Sequence, residues 1–477
     1  MRKYQAHGRK SAIVVCVALG LLVLFSCAAQ YPLNPKLEVL GKSDLYRSKL
    51  HNAENSNSLF LILAFSGGGT RAASLAYGTL EALKKIELSG PVVLSPTGKR
   101  PRTLLDEVTV ISAVSGGSFT AAYYGLHGEG IFKDFKERFL IRDVQGYLLR
   151  EFLSPFNWPL LWSPRFGRSD LAQEYYDRIL FKGATLSDME TKDGPIVMIL
   201  ATDVIDGVIF PFTRETFSWI CSDFNQFPIS RAVAASSALP GPLSPVIIRN
   251  YAGSCGMKIP EWIPKALETP DPSSRTFQMA VTASTYLDQR KKPYIHLVDG
   301  GVSDNLGLRA IIDKVMMHGG IRDALAKSEI KGMRRIAFII VDAETTDRPS
   351  WSIVGDVPGI GAIMEISSTV MVNKYNFETI DLLRRNIRDW QVEDEARLKP
   401  LDFYVIHVTF NSLPEKTDRD YFHGIPTTFS LPSDQVDRLR EVAARLLFAS
   451  PEFQRLVKDM GGNMLGPAIP APTGKDG

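Results

Sequence analysis

The feature that most constrains the fold is a pattern of apolar strand, glycine turn and helix that occurs twice. The apolar run 59–65 leads into SGGGTR and then into a helical pattern over 72–83. The β-branched run 108–113 leads into VSGGS and then into a helical pattern over 119–126. Strand and helix patterns alternate along the rest of the chain, which is typical of α/β proteins. The sequence therefore predicts one large α/β unit with additions.

Ser115 lies on the second of these turns, between the strand and the helix. Gly116 and Gly117 allow the tight backbone that projects a hydroxyl group, and the helix start offers free N–H groups and a positive dipole end. This arrangement is typical of a nucleophile elbow, whose usual pattern is GxSxG; here Ala113 stands at the first glycine position. The alternative is that Ser115 only caps the helix, because serine is a favoured N-cap residue.

Three consecutive glycines, Gly67, Gly68 and Gly69, form the first turn. Their backbone N–H groups can converge on one point, which is what the oxyanion of a tetrahedral intermediate requires. Phosphate binding is a weaker interpretation, because the segment has neither GxxxxGK[ST] nor GxGxxG spacing. A tight packing turn is the structural alternative, although a single glycine would be enough for it.

Asp299 follows a predicted strand over 295–298 and precedes Gly300 and Gly301. Its carboxylate would then lie at a strand end, where α/β enzymes keep catalytic groups. An exposed aspartate has a pKa of roughly 3.9 and is a poor base, so this role requires burial. The alternative is an ordinary Asp-Gly turn.

A catalytic triad would also need a histidine. Beyond the N-terminal segment the chain has His51, His127, His296, His318, His407 and His423. None of them stands in a glycine-rich loop, and strand alternation places His296 and Asp299 on opposite faces. The residues therefore favour a serine–aspartate dyad.

These segments resemble the patatin-like phospholipases in four blocks: SGGGTRAA, SAVSGGS, ATDVIDGVIF with AVAASSALPGPLSPV, and VDGGVSDNLG. The resemblance extends from about residue 59 to about residue 307 and fades beyond it. It implies a three-layer α/β/α fold with a mainly parallel central sheet. The sequence itself adds a helical aromatic-rich insertion and a C-terminal α/β extension to that fold. The resemblance also implies a hydrolase of phospholipids or other lipid esters that needs neither metal nor cofactor.

The resemblance assigns roles to individual residues. Ser115 would be the nucleophile and Asp299 the base, with Gly116 and Gly117 in the elbow. The oxyanion hole would be formed by Gly67, Gly68 and Gly69 near Arg71. For Arg71 three roles stay open: steering an anionic head group, stabilising the loop, or an ordinary solvated arginine. The block 232–246 is assigned a structural role.

Two other functions are compatible with these residues. A thioesterase or small-ester carboxylesterase would use the same dyad with a different pocket. A non-catalytic membrane-associated lipoprotein would keep the fold without serine reactivity. The net charge of +3 gives no indication of a nucleic-acid partner, and the sequence identifies no protein partner.

The chain divides into a linker over 30–57, a catalytic domain over 58–345, a C-terminal extension over 346–460 and a flexible tail over 461–477. The catalytic domain contains a predicted helical, cap-like insertion over 131–190, rich in aromatic and basic residues. Most of these aromatic residues suit core packing. The segment PFNWPLLWSP is the best candidate for contact with lipid, because its prolines forbid a regular helix. Asp342 and Glu344 are interpreted as ordinary turn acids rather than site residues.

Residues 1–29 carry basic residues ahead of an apolar run over 12–25, the pattern of a secretion signal. The segment LFSC resembles a bacterial lipobox, with Cys27 as the lipidated residue; cleavage after Ala29 and an uncleaved anchor are the alternatives. Each places the catalytic part outside the cytoplasm, at the membrane of a bacterial cell envelope. Cys221 and Cys255 form either a disulfide or two buried thiols.

Overall fold

The protein folds around a mainly parallel β-sheet, and the computed structural model describes residues 33–41, 56, 58–89, 93–95, 98–190, 194–327, 332–346, 355, 357–395 and 400–464. The strands are β1 Leu59–Phe65, β2 Ile86–Leu88, β3 Val93–Ser95, β4 Gly98–Arg100, β5 Val108–Val114, β6 Ile196–Asp203, β7 Val208–Pro211, β8 Val246–Arg249, β9 Tyr294–Asp299, β10 Arg335–Asp342, β11 Asp402–Thr409 and β12 Gly462–Met464. The central sheet has the order β11-β10-β1-β5-β6-β9-β8, and β7 pairs with β6. The strands from β11 to β6 are parallel, whereas β9 runs antiparallel to both of its neighbours.

Helices cover both faces of this sheet. They are α1 Gly69–Lys84, α2 Gly116–His127, α3 Ile131–Phe135, α4 Val144–Leu153, α5 Trp158–Leu161, α6 Arg168–Tyr176, α7 Arg214–Trp219, α8 Ile229–Ser236, α9 Trp262–Glu268, α10 Arg275–Tyr286, α11 Gly301–Asp304, α12 Arg309–Met317, α13 Ile321–Lys327, α14 Ile360–Glu395, α15 Lys416–His423, α16 Ser433–Ala449 and α17 Pro451–Asp459. Short helical turns lie at 104–107, 128–130, 136–140, 177–181, 186–189, 224–226 and 410–412.

The strand β1 shows how the layers form. Leu61, Leu63 and Phe65 join an apolar cluster with α1, α2 and α16 on one face. Ile62 and Ala64 join a second cluster with α12, α13 and α14 on the other face. Because side chains alternate along a strand, burial on both faces requires the continuous apolar run that the sequence shows. The predicted three-layer α/β/α fold is confirmed.

The insertion over 131–190 is helical, and some of its aromatic side chains are buried whereas others are exposed. Phe135 and Phe139 are fully buried against the elbow side of the core. Phe156 is 92% exposed and Trp162 is 70% exposed. The helix α5 has a single turn, with Pro159 near its start, where the missing N–H costs little. The aromatic residues of this insertion therefore belong partly to the core and partly to the surface.

Cys221 and Cys255 form a disulfide, one of the two alternatives that the sequence left open. Part of the predicted N-terminal linker packs beside it. The N–H of Leu37 donates to the carbonyl of Cys221, and the N–H of Leu40 donates to the carbonyl of Cys255. The segment 33–41 therefore packs on the catalytic domain.

The predicted boundaries in the C-terminal part need correction. The strand β11 continues the central sheet beside β10, so the extension adds an edge to the catalytic fold. The flexible tail was predicted to begin at residue 461, but β12 pairs antiparallel with β2. Backbone pairing with β2 makes these residues part of a two-stranded sheet. Residues 465–477, and residues 1–29 with Cys27, lie outside the described residues. Among the described helices, none combines the length and apolar character needed to cross a bilayer.

Candidate active site

Ser115 forms a strained turn between β5 and α2, as the elbow pattern predicts. Its φ is 49°, a left-handed value that is rare for a residue with a side chain, and its side chain is only 6% exposed. The N–H of Ser115 donates to the hydroxyl of Ser236 at 2.9 Å, and its carbonyl accepts from the N–H and the hydroxyl of Ser118. Ala113 is fully buried in β5 beneath this turn, so alanine is accommodated at the first elbow position.

The glycines after Ser115 are required by a close approach of two backbones. A Cβ atom at Gly116 would lie 2.0 Å from the carbonyl oxygen of Gly69. A Cβ atom at Gly117 would lie 2.7 Å from the carbonyl oxygen of Ser66. The elbow and the first glycine turn are therefore in direct contact, although they are 46 or more residues apart along the chain.

Asp299 ends β9 and reaches Ser115. The Ser115 hydroxyl donates to Oδ2 of Asp299 at 2.7 Å, and the N–H of Gly301 donates to Oδ1 at 2.8 Å. The strand β9 runs antiparallel to β6, with Asp299 opposite Ala201. The strand β9 ends opposite Ala201, and β5 ends opposite the neighbouring residue Leu200. The last residue of the antiparallel strand therefore lies beside Ser115, which follows β5. The sequence indicated the strand end but not this direction.

The environment of Asp299 suits a base. Burial raises its pKa to about 6, against the lowering effect of the hydrogen bonds from Ser115 and Gly301. Neither of these partners carries a charge, so within the described ranges the carboxylate accepts hydrogen bonds from neutral donors. A group with this pKa is ionised at neutral pH and still takes up a proton readily, as general-base catalysis requires.

The first glycine turn lies against Ser115, and here the predicted oxyanion hole needs a correction. The N–H of Gly67 donates to the carbonyl of Asn305 at 3.0 Å, so it is occupied in holding the loop. In the part of the chain that the structure describes, the N–H groups of Gly68, Gly69 and Gly116 have no protein acceptor. These three are therefore the candidate donors, and the sequence overlooked Gly116 in this role.

Arg71 is buried, and two of its three suggested roles do not fit. It is 3% exposed, so it is not a solvated arginine. Its guanidinium donates to the carbonyls of Ala343 and Ile425 and to the hydroxyl of Thr427, which leaves it turned away from a head group. Burial lowers its pKa to about 10, with Asp342 opposing that shift. Arg71 therefore stabilises the loop from behind.

Two residues near the dyad have roles that sequence reasoning did not assign. The hydroxyl of Ser236 accepts from Ser115 and donates to the carbonyl of Leu200 at 2.7 Å, which ties the elbow to β6. Asn305 holds Gly67 through its carbonyl, and a Cβ at Gly67 would lie 2.5 Å from its side-chain oxygen. Both stand in blocks that the resemblance singled out, which was the only available signal.

The acids at the end of β10 and just after it do not hydrogen-bond to Ser115 or Asp299. Asp342 pairs with His407 at 3.0 Å, and Glu344 accepts from the amide of Asn376 at 2.8 Å. Burial, with the charge of Asp342, raises the pKa of Glu344 to about 7. None of the histidines in the described residues hydrogen-bonds to Ser115 or Asp299. The described residues also include no group of three or more acidic, histidine or cysteine side chains suited to a metal ion.

Solved structures of one human enzyme match this chain at low sequence identity. Human GIVD cytosolic phospholipase A2 matches with a TM-score of 0.42 and 13% identity, over 85% of this chain and 62% of that chain. The same protein in complex with methyl gamma-linolenyl fluorophosphonate matches with a TM-score of 0.40 and 13% identity, over 85% of this chain and 59% of that chain. The chain thus spans less than two thirds of the length of these proteins.

Comparison of the sequence with curated proteins gives no match. The family model for patatin-like phospholipases matches residues 63–312, which is more than half of the 477-residue chain and includes both glycine turns, Ser115 and Asp299. The chain therefore belongs to the patatin-like phospholipase family.

Proposed function

We propose that this protein is a serine hydrolase that cleaves acyl esters of lipids, most specifically a phospholipase A. The observation that carries the proposal is the hydrogen bond of 2.7 Å from the Ser115 hydroxyl to the buried carboxylate of Asp299. A strained serine beside a buried base is the arrangement that acyl transfer needs, and the N–H groups of Gly68, Gly69 and Gly116 have no acceptor among the described residues. Membership of the patatin-like phospholipase family favours a lipid ester as substrate.

The first half-reaction transfers the acyl group to the enzyme. Asp299 takes the proton of Ser115 as Oγ attacks the ester carbonyl carbon. The carbonyl oxygen becomes an oxyanion, which the N–H groups of Gly68, Gly69 and Gly116 stabilise. The intermediate collapses with cleavage of the ester bond, and Asp299 returns the proton to the leaving alcohol. The products are an acyl-enzyme on Ser115 and, for a phospholipid, a lysophospholipid.

The second half-reaction uses the same groups in the same order. Asp299 takes a proton from water, and the resulting hydroxide attacks the acyl-enzyme carbonyl. The same backbone donors hold the second oxyanion. Collapse breaks the bond to Ser115, whose Oγ recovers the proton from Asp299, and the fatty acid is released.

Substrate turnover tests this proposal and separates it from its alternatives. The purified protein and a Ser115→Ala variant are compared on phosphatidylcholine vesicles, a p-nitrophenyl ester and an acyl-coenzyme A thioester. We expect release of fatty acid from the phospholipid by the wild type, and a loss of at least about a thousandfold in the variant. Turnover of the soluble ester or thioester alone would assign a carboxylesterase or thioesterase. A folded wild type that cleaves none of them would contradict the proposal.

The proposal includes contact with a lipid surface through the interfacial segment, which we define as residues 149–162. This segment presents a cluster of large apolar side chains to solvent. They are Leu149, Leu153, Phe156, Trp158, Leu160 and Trp162. Exposed apolar clusters of this kind mark interaction surfaces, and tryptophan is enriched where protein meets the lipid head groups.

Charge and position support an anionic bilayer as the surface that this segment contacts. Arg150, Arg165 and Arg168 are exposed around the apolar residues. Each arginine near an anionic membrane contributes about 1 kcal/mol of attraction. Arg168 also donates to the carbonyl of Gly241, in the loop that follows the elbow-holding residue Ser236. The proposal places the enzyme at the cell envelope outside the cytoplasm, as the N-terminal pattern indicates.

Polar substitution in the interfacial segment is expected to separate membrane binding from catalysis. In a Phe156→Ser and Trp162→Ser double variant, we expect binding to anionic vesicles to weaken by about tenfold or more. Burial of each such side chain contributes roughly 1.5–3 kcal/mol. Turnover of a soluble p-nitrophenyl ester should not change, because both side chains lie at the surface whereas Ser115 and Asp299 are buried.

The matched control is Val39→Ser, which changes a side chain that is 76% exposed but lies in the N-terminal segment. Vesicle co-sedimentation at two salt concentrations measures binding. Equal binding by the double variant, the control and the wild type would show that this segment does not contact lipid.

A further inference from the structure

A short C-terminal segment reaches the oxyanion loop from outside the family match. We call residues 425–429 the strap; they lie between α15 and α16. The family model ends at residue 312, more than 100 residues earlier in the chain. The strap carries no motif in the sequence, and its importance is visible only from its contacts.

The strap bonds to the two residues that directly follow Gly69. The N–H of Thr70 donates to the carbonyl of Thr428 at 2.8 Å. The guanidinium of Arg71 donates to the carbonyl of Ile425 at 2.5 Å and to the hydroxyl of Thr427 at 2.9 Å. Backbone and side-chain bonds therefore join the strap to the start of α1, where the candidate oxyanion donors lie.

The contact with Gly69 is so close that it leaves no space for a side chain. Gly69 has a φ of 58°, and a Cβ atom there would lie 2.4 Å from the carbonyl oxygen of Thr428. On its opposite side, the carbonyl of Gly69 faces Gly116 of the elbow. The backbone of Gly69 is thus enclosed between the strap and the nucleophile turn.

The strap is itself fixed by the helical insertion and the elbow helix. The side-chain oxygen of Gln145 accepts from the Thr428 hydroxyl at 2.6 Å and from the N–H of Phe429 at 3.2 Å. The carbonyl of Phe429 accepts from the N–H groups of Val144 and Gln145. The ring of Phe429 lies edge-on to Phe119 of α2, with centroids 5.5 Å apart. The strap therefore has a rigid support behind it.

We propose that the strap positions the oxyanion loop, so that the C-terminal part of the chain completes the catalytic site. Oxyanion stabilisation depends on donors held at hydrogen-bond distance from the developing charge, and a displacement of about 1 Å can cost about a hundredfold in rate. The loop is held on one side by Asn305 and by Ser66, whose hydroxyl accepts from the N–H of Ala343. The strap holds the side that leads into α1. Thr427 and Gln145 are positioning residues in this account, because neither contacts the dyad.

The side-chain bonds of the strap can be removed without opening a cavity in the core, because Thr427 and Gln145 are both exposed. A Thr427→Val and Gln145→Leu double variant keeps the shape of both side chains and removes their hydrogen bonds. This test rests on the proposed function, since it measures ester turnover. We expect kcat to fall about 10- to 100-fold while KM changes less than about twofold, because the loop acts on the transition state.

Two controls make the outcome specific. The first control is the single variant Thr427→Ser, with Gln145 unchanged. It keeps the hydroxyl that accepts from Arg71, so its turnover should lie within about twofold of the wild type. Thr417→Val makes the same change on an exposed threonine in α15 that does not contact the loop, and should leave kcat unchanged.

The two proposals fail differently in this experiment. A wild type with no turnover would overturn the proposed function. An active wild type whose kcat is matched by the double variant would overturn the role of the strap. Two further results would contradict the positioning role and assign these residues to general stability. One is a fall in kcat with an equal rise in KM in the double variant. The other is an equally low kcat in Thr427→Ser.

Discussion

Replacing Asp299 with asparagine is expected to abolish ester hydrolysis and, at neutral pH, to stabilise the folded protein. Asparagine can accept from the N–H of Gly301 and donate to Ser115, so the shape of the site is kept. It cannot take a proton, and the loss of general-base catalysis should lower kcat by about 10²–10⁴-fold or more. The same residue would then carry activity at a cost in stability.

The stability effect follows from the direction of the pKa shift. Burial raises the pKa of Asp299 from 3.8 to about 6. Folding therefore favours the protonated form, and the penalty for the buried carboxylate appears as pH rises from about 4 to about 6 and is constant above that. A shift of about two units corresponds to roughly 3 kcal/mol, so we expect Asp299→Asn to gain about 1–3 kcal/mol at pH 8 and nothing at pH 4.

Urea unfolding of the wild type and Asp299→Asn at both pH values measures this difference. In the wild type, kcat/KM should fall as pH drops through about 6, where Asp299 becomes protonated. Burial also raises the pKa of Glu344 to about 7, so Glu344→Gln is the control for this fall in kcat/KM at low pH. The fall should persist in Glu344→Gln. A variant Asp299→Asn that retains wild-type turnover, or is less stable at pH 8 than at pH 4 relative to wild type, would contradict the assignment.

Replacing Gly116 with alanine is expected to remove most of the activity by separating the elbow from the oxyanion loop. The added Cβ would lie 2.0 Å from the carbonyl oxygen of Gly69 and 2.8 Å from its nitrogen. Both are backbone atoms, so the loop must move as a whole. Loss of one oxyanion donor costs about 10²–10³ in rate, and this displacement affects the donors of Gly69 and Gly116 together. We therefore expect kcat to fall by at least about a hundredfold.

Gly130→Ala is the matched control, because a Cβ at Gly130 would meet only the side chain of His127, at 3.4 Å. It should keep kcat within about twofold of the wild type. Circular dichroism and thermal unfolding of both variants separate a displaced loop from an unfolded protein. A folded Gly116→Ala protein with wild-type kcat would show that contact between the two turns is not needed for catalysis.

The elements and the two residues of the candidate dyad could be predicted because their signals are local. The strand 59–65 and the turn after it coincide with β1 and the start of α1, since a strand buried on both faces must be apolar throughout. Ser115 and Asp299 were found because each follows such a strand and precedes glycines. Their contact at 2.7 Å depends on the order of strands in the sheet, which single segments do not reveal.

The parts that sequence reasoning missed depend on contacts between distant segments. The occupied N–H of Gly67 requires knowledge that Asn305 lies beside it. Arg71 appeared able to face solvent because the loops at 343 and 425–427 that bury it are more than 270 residues away. The predicted start of the flexible tail at residue 461 is wrong because β12 consists of Gly, Asn and Met and pairs through its backbone. Backbone hydrogen bonds to distant segments leave little trace in side-chain composition.

Labelling by a fluorophosphonate probe tests the central claim, that Ser115 is a nucleophile activated by Asp299, most directly. Such a probe forms a covalent phosphonyl ester with an activated serine and needs no knowledge of the natural substrate. We predict that the wild type is labelled, that peptide mass spectrometry places the label on Ser115, and that labelling is absent in Ser115→Ala and strongly slowed in Asp299→Asn. A folded wild type that stays unlabelled, or a label on another residue that survives in Ser115→Ala, would contradict the account.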